Sequence, residues 1–244
     1  MESLDTLLAA HRAYLLGWNA GAPASDDLPI YRSEVPHAPL NGVLRVRGHA
    51  PGDALAEARD HLDGVPRIWW AGPDSDAGTA DALVSLGAVR VARMPIMTVA
   101  IDRAAYAPSP DGLHVAEATD LAEFVPAYAR VSGISPDGVA AAIEREKAFS
   151  ADGTVIRLAG RTADGALAGT TVAWLSHGLL TLYFVGTQPE HRRRGVATAL
   201  TTAALRLARE RGVRTAALTS TPAGESLYHR IGFRTAGAFE LLSF

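Results

Sequence analysis

Residues 195–211 read GVATALTTAALRLARER, and Val196, Leu200, Ala203, Leu207 and Ala208 recur at helical spacing. That stripe predicts an amphipathic helix, with Gly212 as its natural stop. Period-two and apolar runs predict strands over 113–118, 154–161, 166–176, 179–187, 214–219 and from 233 onward. Between them the pattern predicts helices around 120–132, 136–150 and 222–231, the last with Thr221 as N-cap, Pro222 at the first position and Gly232 as its stop. Asp152-Gly153 and Asp164-Gly165 supply turn chemistry, and the second pair lies between two strands as a hairpin requires. A strand, the helix from 195 and another strand form a βαβ unit, which implies two parallel strands.

The first half repeats this order more faintly. GVLRVRG reads as a strand, GDALAEARDHLDG as a helix, RIWWAG as a strand, GTADALVSLGA as a helix and RVARMPIMTV as a closing strand. Laid on the second half, SLGAVRVA falls opposite HRIGFRTA, which points to a degenerate internal repeat. Pro108, Ser109, Pro110, Asp111 and Gly112 break both helix and strand, so the seam between the halves is expected there, with lobes 1–107 and 108–244. The N-terminus, MESLDTLLAAHRAYLLGWNA, carries Glu2, Asp5, His11 and Arg12 and reads as an amphipathic helix, not a signal peptide. Trp69 and Trp70 face opposite sides of a strand, one to the core and the other to the second half or to a subunit interface, which keeps a homodimer open.

Composition then narrows the classes. The chain has 244 residues, 48% of them hydrophobic and 20% charged, enough for a substantial core. A formal net charge of −3 gives no global field for nucleic acid, and no run has membrane-spanning length. The expectation is a cytoplasmic protein with no nucleic-acid or membrane partner. Cysteine is absent, which removes disulfides, thiolate metal sites and a cysteine nucleophile. The eight histidines show no metal-ligand spacing, so no metal is expected.

One stretch concentrates positive charge: PEHRRRGVATAL, residues 189–200. A helix N-terminus leaves its first N–H groups unpaired and carries partial positive charge, which suits an anion such as phosphate. Gly195 has no side chain to keep a ligand away. On spacing alone a solvated basic helix start fits as well. Two other phosphate motifs, G-x-x-x-x-G-K-[ST] and a strand-borne G-x-G-x-x-G, do not occur.

FVGTQPEHRRRGVATAL resembles the acyl-CoA-binding motif of the GCN5-related N-acetyltransferases, Q/R-x-x-G-x-G/A, met here by Arg192, Gly195 and Ala197. SLYHRIGF follows at the family's distance and is similar to its closing Tyr-x-x-x-Gly-Phe element. The resemblance spans roughly residues 113–244 and implies an α/β protein with the acyl-CoA N-acyltransferase fold, a mixed central sheet flanked by helices. With the repeat, it implies two tandem lobes, the first degenerate: it offers RVRGHAPGD at the corresponding place, with Leu83 opposite Tyr228.

The resemblance further implies that coenzyme A pyrophosphate meets the loop of Arg192, Arg193, Arg194, Gly195, Val196, Ala197 and Thr198. It puts the pantetheine arm along Val185, Gly186 and Thr187, and makes Tyr228 the donor to the departing sulfur. The implied reaction is acetyl transfer from acetyl-CoA to a primary amine of an unidentified small acceptor, with the segment Val131–Pro136 walling the acceptor. Two departures stand out. TSTPAG replaces a frequent asparagine before the last helix, and GLLTLYFVGT lacks the glutamate that many members use as base. Tyr183, His177, Glu117 or an ordered water are the candidates left. An acyl-CoA-binding regulator without turnover is the rival reading.

Overall fold

The computed structural model describes residues 2–21 and 25–244. Its first half runs α1 (Leu4–Leu16), β1 (Ile30–Arg32), β2 (Asn41–Val43), α2 (Pro51–His61), β3 (Ile68–Ala71), α3 (Thr79–Ser85) and β4 (Val89–Ala100). The second runs β5 (His114–Glu117), α4 (Leu121–Ser132), α5 (Val139–Ala148), β6 (Thr154–Arg161), β7 (Leu167–Ser176), β8 (Leu179–Thr187), α6 (Val196–Glu210), β9 (Thr215–Thr219), α7 (Pro222–Ile231) and β10 (Arg234–Ser243). The second-half elements fall within a few residues of the periodicity reading. Thr221 caps α7 by accepting from Gly224 N–H at 3.3 Å, and Gly232 ends it at φ +108°. The stripe on α6 is turned slightly from expectation: Leu200, Ala204, Leu205 and Ala208 are fully buried, while Ala203 and Leu207 lie at its margin. In the first half the strand expected across 42–48 stops at Val43, and a short strand, β1, pairs with it. Past Val43 the arginines of that stretch turn to backbone oxygens, Arg45 to Asp26 and Arg47 to Asp74 at 2.8 Å.

All ten strands form one mixed sheet in the order β1-β2-β3-β10-β4-β9-β8-β7-β6-β5. β8 and β9 pair in parallel around α6, as the βαβ reading requires, and β2 and β3 do the same around α2. The middle of the sheet departs from two lobes set side by side. β4, from the first half, pairs with β9 of the second, and β10, from the second, pairs with β3 of the first. Each half thus lends its last strand to the other. The stretch after β4 is fastened rather than loose: Ala105 N–H donates to Ile231 O at 2.8 Å, and Arg206 and Arg209 of α6 cover the Tyr106 ring.

Alternate residues along the strands enter different cores. Trp69, Met97, Leu218 and Leu242 belong to clusters beneath α2, α3, α6 and α7, whereas Trp70, Ile96, Ala217 and Leu241 belong to the cluster beneath α1 and α4. α1 buries Leu7, Leu8, Tyr14 and Leu15 there. Each such side chain contributes about 1.5–3 kcal/mol when buried. The Tyr14 ring stacks on Tyr183 of β8 with centroids 3.5 Å apart and lies 5.5 Å from Trp174 of β7. The first helix of the first half is therefore packed on the sheet of the second.

Candidate active site

β8 and β9 are paired only from Leu180 opposite Ala216 to Leu182 opposite Leu218. Beyond that point β8 bends away. Its register with β7 shifts between Thr170 and Val172, and Phe184 takes a left-handed φ of +49°, the mark of a bulge. Residues 183–187 keep their ladder to β7 while their other edge faces a cleft of about 520 Å³. Val185, Gly186 and Thr187 line it, so this edge offers backbone donors and acceptors with no neighbouring strand. Gly186 lets α4 approach: a Cβ there would collide with Val131.

At the end of β8 the chain turns into α6 through a loop held by Gln188, whose side chain is buried and donates to Ala127 O at 2.7 Å. Arg130 adds an ion pair to Glu190 at 2.6 Å. Neither Gln188 nor Arg130 was singled out by motif spacing, because each acts by tying the loop to α4 through space. Backbone hydrogen bonding in the loop ends with Arg192 N–H to Pro189 O at 3.4 Å and resumes with Ala199 N–H to Gly195 O at 2.9 Å. Between them, among the described residues, the N–H groups of Arg193, Arg194, Gly195, Val196, Ala197 and Thr198 donate to no backbone carbonyl. Arg193 and Gly195 both have positive φ, +64° and +79°, which turns the chain sharply before the helix. Arg192 and Ala197 line the cleft, and Arg192, Arg193 and Arg194 are exposed and form no ion pair among the described residues.

Tyr228 reaches the cleft from α7. It is 8% exposed and packs edge-on to Phe233 at 5.7 Å. Burial pushes its phenol well above the ordinary range, so the hydroxyl keeps its proton and is available as a donor. Thr219, Ser220 and Thr221 complete this side where an asparagine is frequent in the resembling family.

The far wall comes from the first half, which spacing did not indicate. His11 and Tyr14 of α1, His37, Leu40, Trp70 and Met94 all line the cleft. His11 sits among Trp70, Phe239 and Tyr183, with Nδ1 3.4 Å from the Tyr183 hydroxyl. Burial, then Arg12, lowers its pKa to about 3. Burial also lowers His37, partly offset by a hydrogen bond to the Gly133 backbone. Tyr183 is half-buried, and desolvation pushes its phenol up. Of the candidate bases only Tyr183 lines the cleft. His177 lies in the β7–β8 turn beside Ser176, and Glu117 ends the edge strand β5, so neither reaches it. From the segment Val131–Pro136, Val131 and Ser132 line the cleft, while Ile134 is turned into the core.

In the first half the equivalent turn is closed. Gly48 N–H donates to Asp76 Oδ2 at 2.7 Å, and α2 begins with Pro51, which has no N–H. A carboxylate thus takes one of the N–H groups of this turn, and Pro51 removes another. No helix among the described residues is long and apolar enough to cross a membrane, and no three acidic or histidine side chains there could hold a metal ion.

Residues 128–233 match the model of the acetyltransferase (GNAT) family. No curated protein sequence matches the chain. Among solved structures, the GCN5-related N-acetyltransferase from Kribbella flavida is 19% identical, over 100% of this chain and 96% of that one, with a TM-score of 0.73. A tandem GNAT protein from the clavulanic acid biosynthesis pathway is 17% identical, over 99% and 93%, with a TM-score of 0.62. A third, a putative GNAT acetyltransferase from Novosphingobium aromaticivorans, is 22% identical over 90% and 89%, with a TM-score of 0.54. The second half of the chain thus carries a domain of the GNAT acetyltransferase family, within a molecule that has a GNAT fold along its whole length.

Proposed function

We propose that the chain transfers an acetyl group from acetyl-CoA to a primary amine. The observation that carries this is a pair of stretches of unspent backbone groups on one cleft, separated by the hydrogen-bonded turn 188–192. One is the open edge of β8 at Val185, Gly186 and Thr187, the other the N–H groups of residues 193–198, and Tyr228 lines the same cleft. A diphosphate fits the head of α6, where N–H groups and the helix dipole favour negative charge. The unpaired guanidinium groups of Arg192, Arg193 and Arg194 add Coulomb attraction. An extended arm carrying amides fits the edge of β8, which would bind it as a further strand.

Acetyl-CoA supplies the activated acetyl group. The chain's own groups orient it, polarise the carbonyl oxygen through N–H groups on β8, and supply the departing sulfur with a proton from Tyr228. Holding the amine against the carbonyl contributes further by proximity. Calorimetry with acetyl-CoA and detection of free coenzyme A thiol with a broad amine panel test the reading. Binding followed by acceptor-dependent release supports it, and no binding sinks it. The lack of a carboxylate in the cleft favours a second reading, a sensor that binds acyl-CoA without turnover. Tight binding with no acceptor in a broad screen would select that one.

A further inference from the structure

Three observations bear on which amine the cleft accepts. Its walls contain no aspartate or glutamate among the described residues. An acceptor with several ammonium groups, such as a polyamine or a lysine-rich peptide, would lose hydration there with no counter-charge to replace it. The wall given by the first half is largely apolar, with Tyr14, Trp70, Leu40 and Met94 lining the same cleft as Tyr183 and Phe184, and the Tyr14 ring stacked on Tyr183. The apolar body of a ring can be buried against it, and 520 Å³ shared with the pantetheine arm leaves room for a small molecule only.

The third observation is that the cleft holds no strong base. Nδ1 of His11 is engaged with the Tyr183 hydroxyl at 3.4 Å. Its Nε2 is enclosed without a partner, as is Thr181 Oγ1, and both residues line a separate void of about 10 Å³, room for roughly one water. Neither nitrogen is offered to an acceptor. His37, weakened by burial, is the other imidazole on the wall. The Tyr14 and Tyr183 phenols hold their protons. An alkyl amine resembling the lysine side chain is neutral to only about 10⁻³ at pH 7, and this cleft has little with which to deprotonate it.

We infer that the acceptor is a weakly basic amine on a flat aromatic body, an aryl amine, held between the two halves of the chain. The inference rests on the acetyl-transfer reading above. An aryl amine arrives neutral, so its nitrogen lone pair forms the new C–N bond as the C–S bond breaks. Sulfur takes the Tyr228 proton, the nitrogen loses a proton to water in the open cleft, and the phenol regains one from that water. The products are the aryl acetamide and coenzyme A thiol.

The test uses the full chain with acetyl-CoA and four acceptors: p-anisidine, its ring-matched alkyl amine 4-methoxyphenethylamine, spermidine and a lysine-rich peptide. The expected kcat/KM for p-anisidine at pH 7 exceeds that for the alkyl amine by about 10²-fold or more, a gap that narrows roughly tenfold per pH unit as the alkyl amine is deprotonated. Trp70→Ala should raise KM for p-anisidine several-fold with acetyl-CoA affinity unchanged, and Trp70→Phe should restore most of it. Equal or better use of spermidine or the peptide would overturn the inference, as would acetyl-CoA binding without acetylation of p-anisidine. Failure to bind acetyl-CoA in calorimetry would overturn the underlying reading, and this one with it.

Discussion

Gly195 sits at φ +79°, and a Cβ there would stand 3.0 Å from Pro110 Cγ. Both facts oppose any side chain, so Gly195→Ala should strain the turn by about 1–2 kcal/mol and weaken acetyl-CoA binding roughly tenfold. Calorimetry on a variant with a native circular dichroism spectrum reads this, and unchanged affinity would refute the anion-loop reading. Arg193→Gly is the counterpart, since it relieves a left-handed arginine: binding should fall only slightly and thermal stability should hold or rise. At Tyr228, replacement by Phe keeps the ring packing, so acetyl-CoA affinity should barely move while turnover drops by about 10²–10⁴-fold. Full turnover in that variant would make Tyr228 a packing residue only. His11 makes a prediction in pH. Its folded pKa of about 3 lies below the ordinary imidazole value of 6.5, so the folded state resists a proton that the unfolded chain accepts. Its contribution is fully present above pH 6.5 and is lost as pH falls toward 3, by at most about 1.4 kcal/mol per unit. Urea midpoints between pH 6.5 and 4.5 should therefore fall less steeply in His11→Leu than in the native chain.

At the scale of elements, what was legible in the sequence was local. Thr221-Pro222 and Gly232 bound α7, Asp164-Gly165 turns β6 into β7, and the Arg-Gly stretch opens α6, because each signal is a few residues acting on their own backbone. Three features escaped. The exchange of β4 and β10 is a pairing between residues more than a hundred positions apart, and no periodicity encodes it. The truncation of β2 at Val43 depends on where Arg45 and Arg47 find backbone oxygens. The first half's wall of the cleft arises because α1 packs across β7 and β8, so His11 meets Trp70 and Tyr183 only after folding. Phe239 on β10 shows the exchange in one side chain: it is 2% exposed and packs on Trp70 and His11 of the other half. Phe239→Ala should cost about 3–5 kcal/mol. It should lower one common transition seen by both tryptophan fluorescence and circular dichroism, whereas two separated transitions would show that the halves unfold independently.

The whole molecule has two similar frames and one open turn. In the first half's turn Asp76 takes the Gly48 N–H and Pro51 heads the helix without one, so calorimetry should count one acetyl-CoA per chain. A stoichiometry of two would show that the first half binds as well. The exchanged strands carry a consequence for the order of folding. While the ribosome is still making residues 104–233, β3 has no neighbour on its inner side, because that neighbour is β10, residues 234–243. The first half must wait, partly assembled, for residues 234–243 to emerge. A nascent chain stalled before residue 234 should then be protease-sensitive in its first hundred residues, and a chain with residues 234–243 clear of the ribosome should be protected in both halves at once. Protection of the first half in the stalled chain would show that it folds without its borrowed strand.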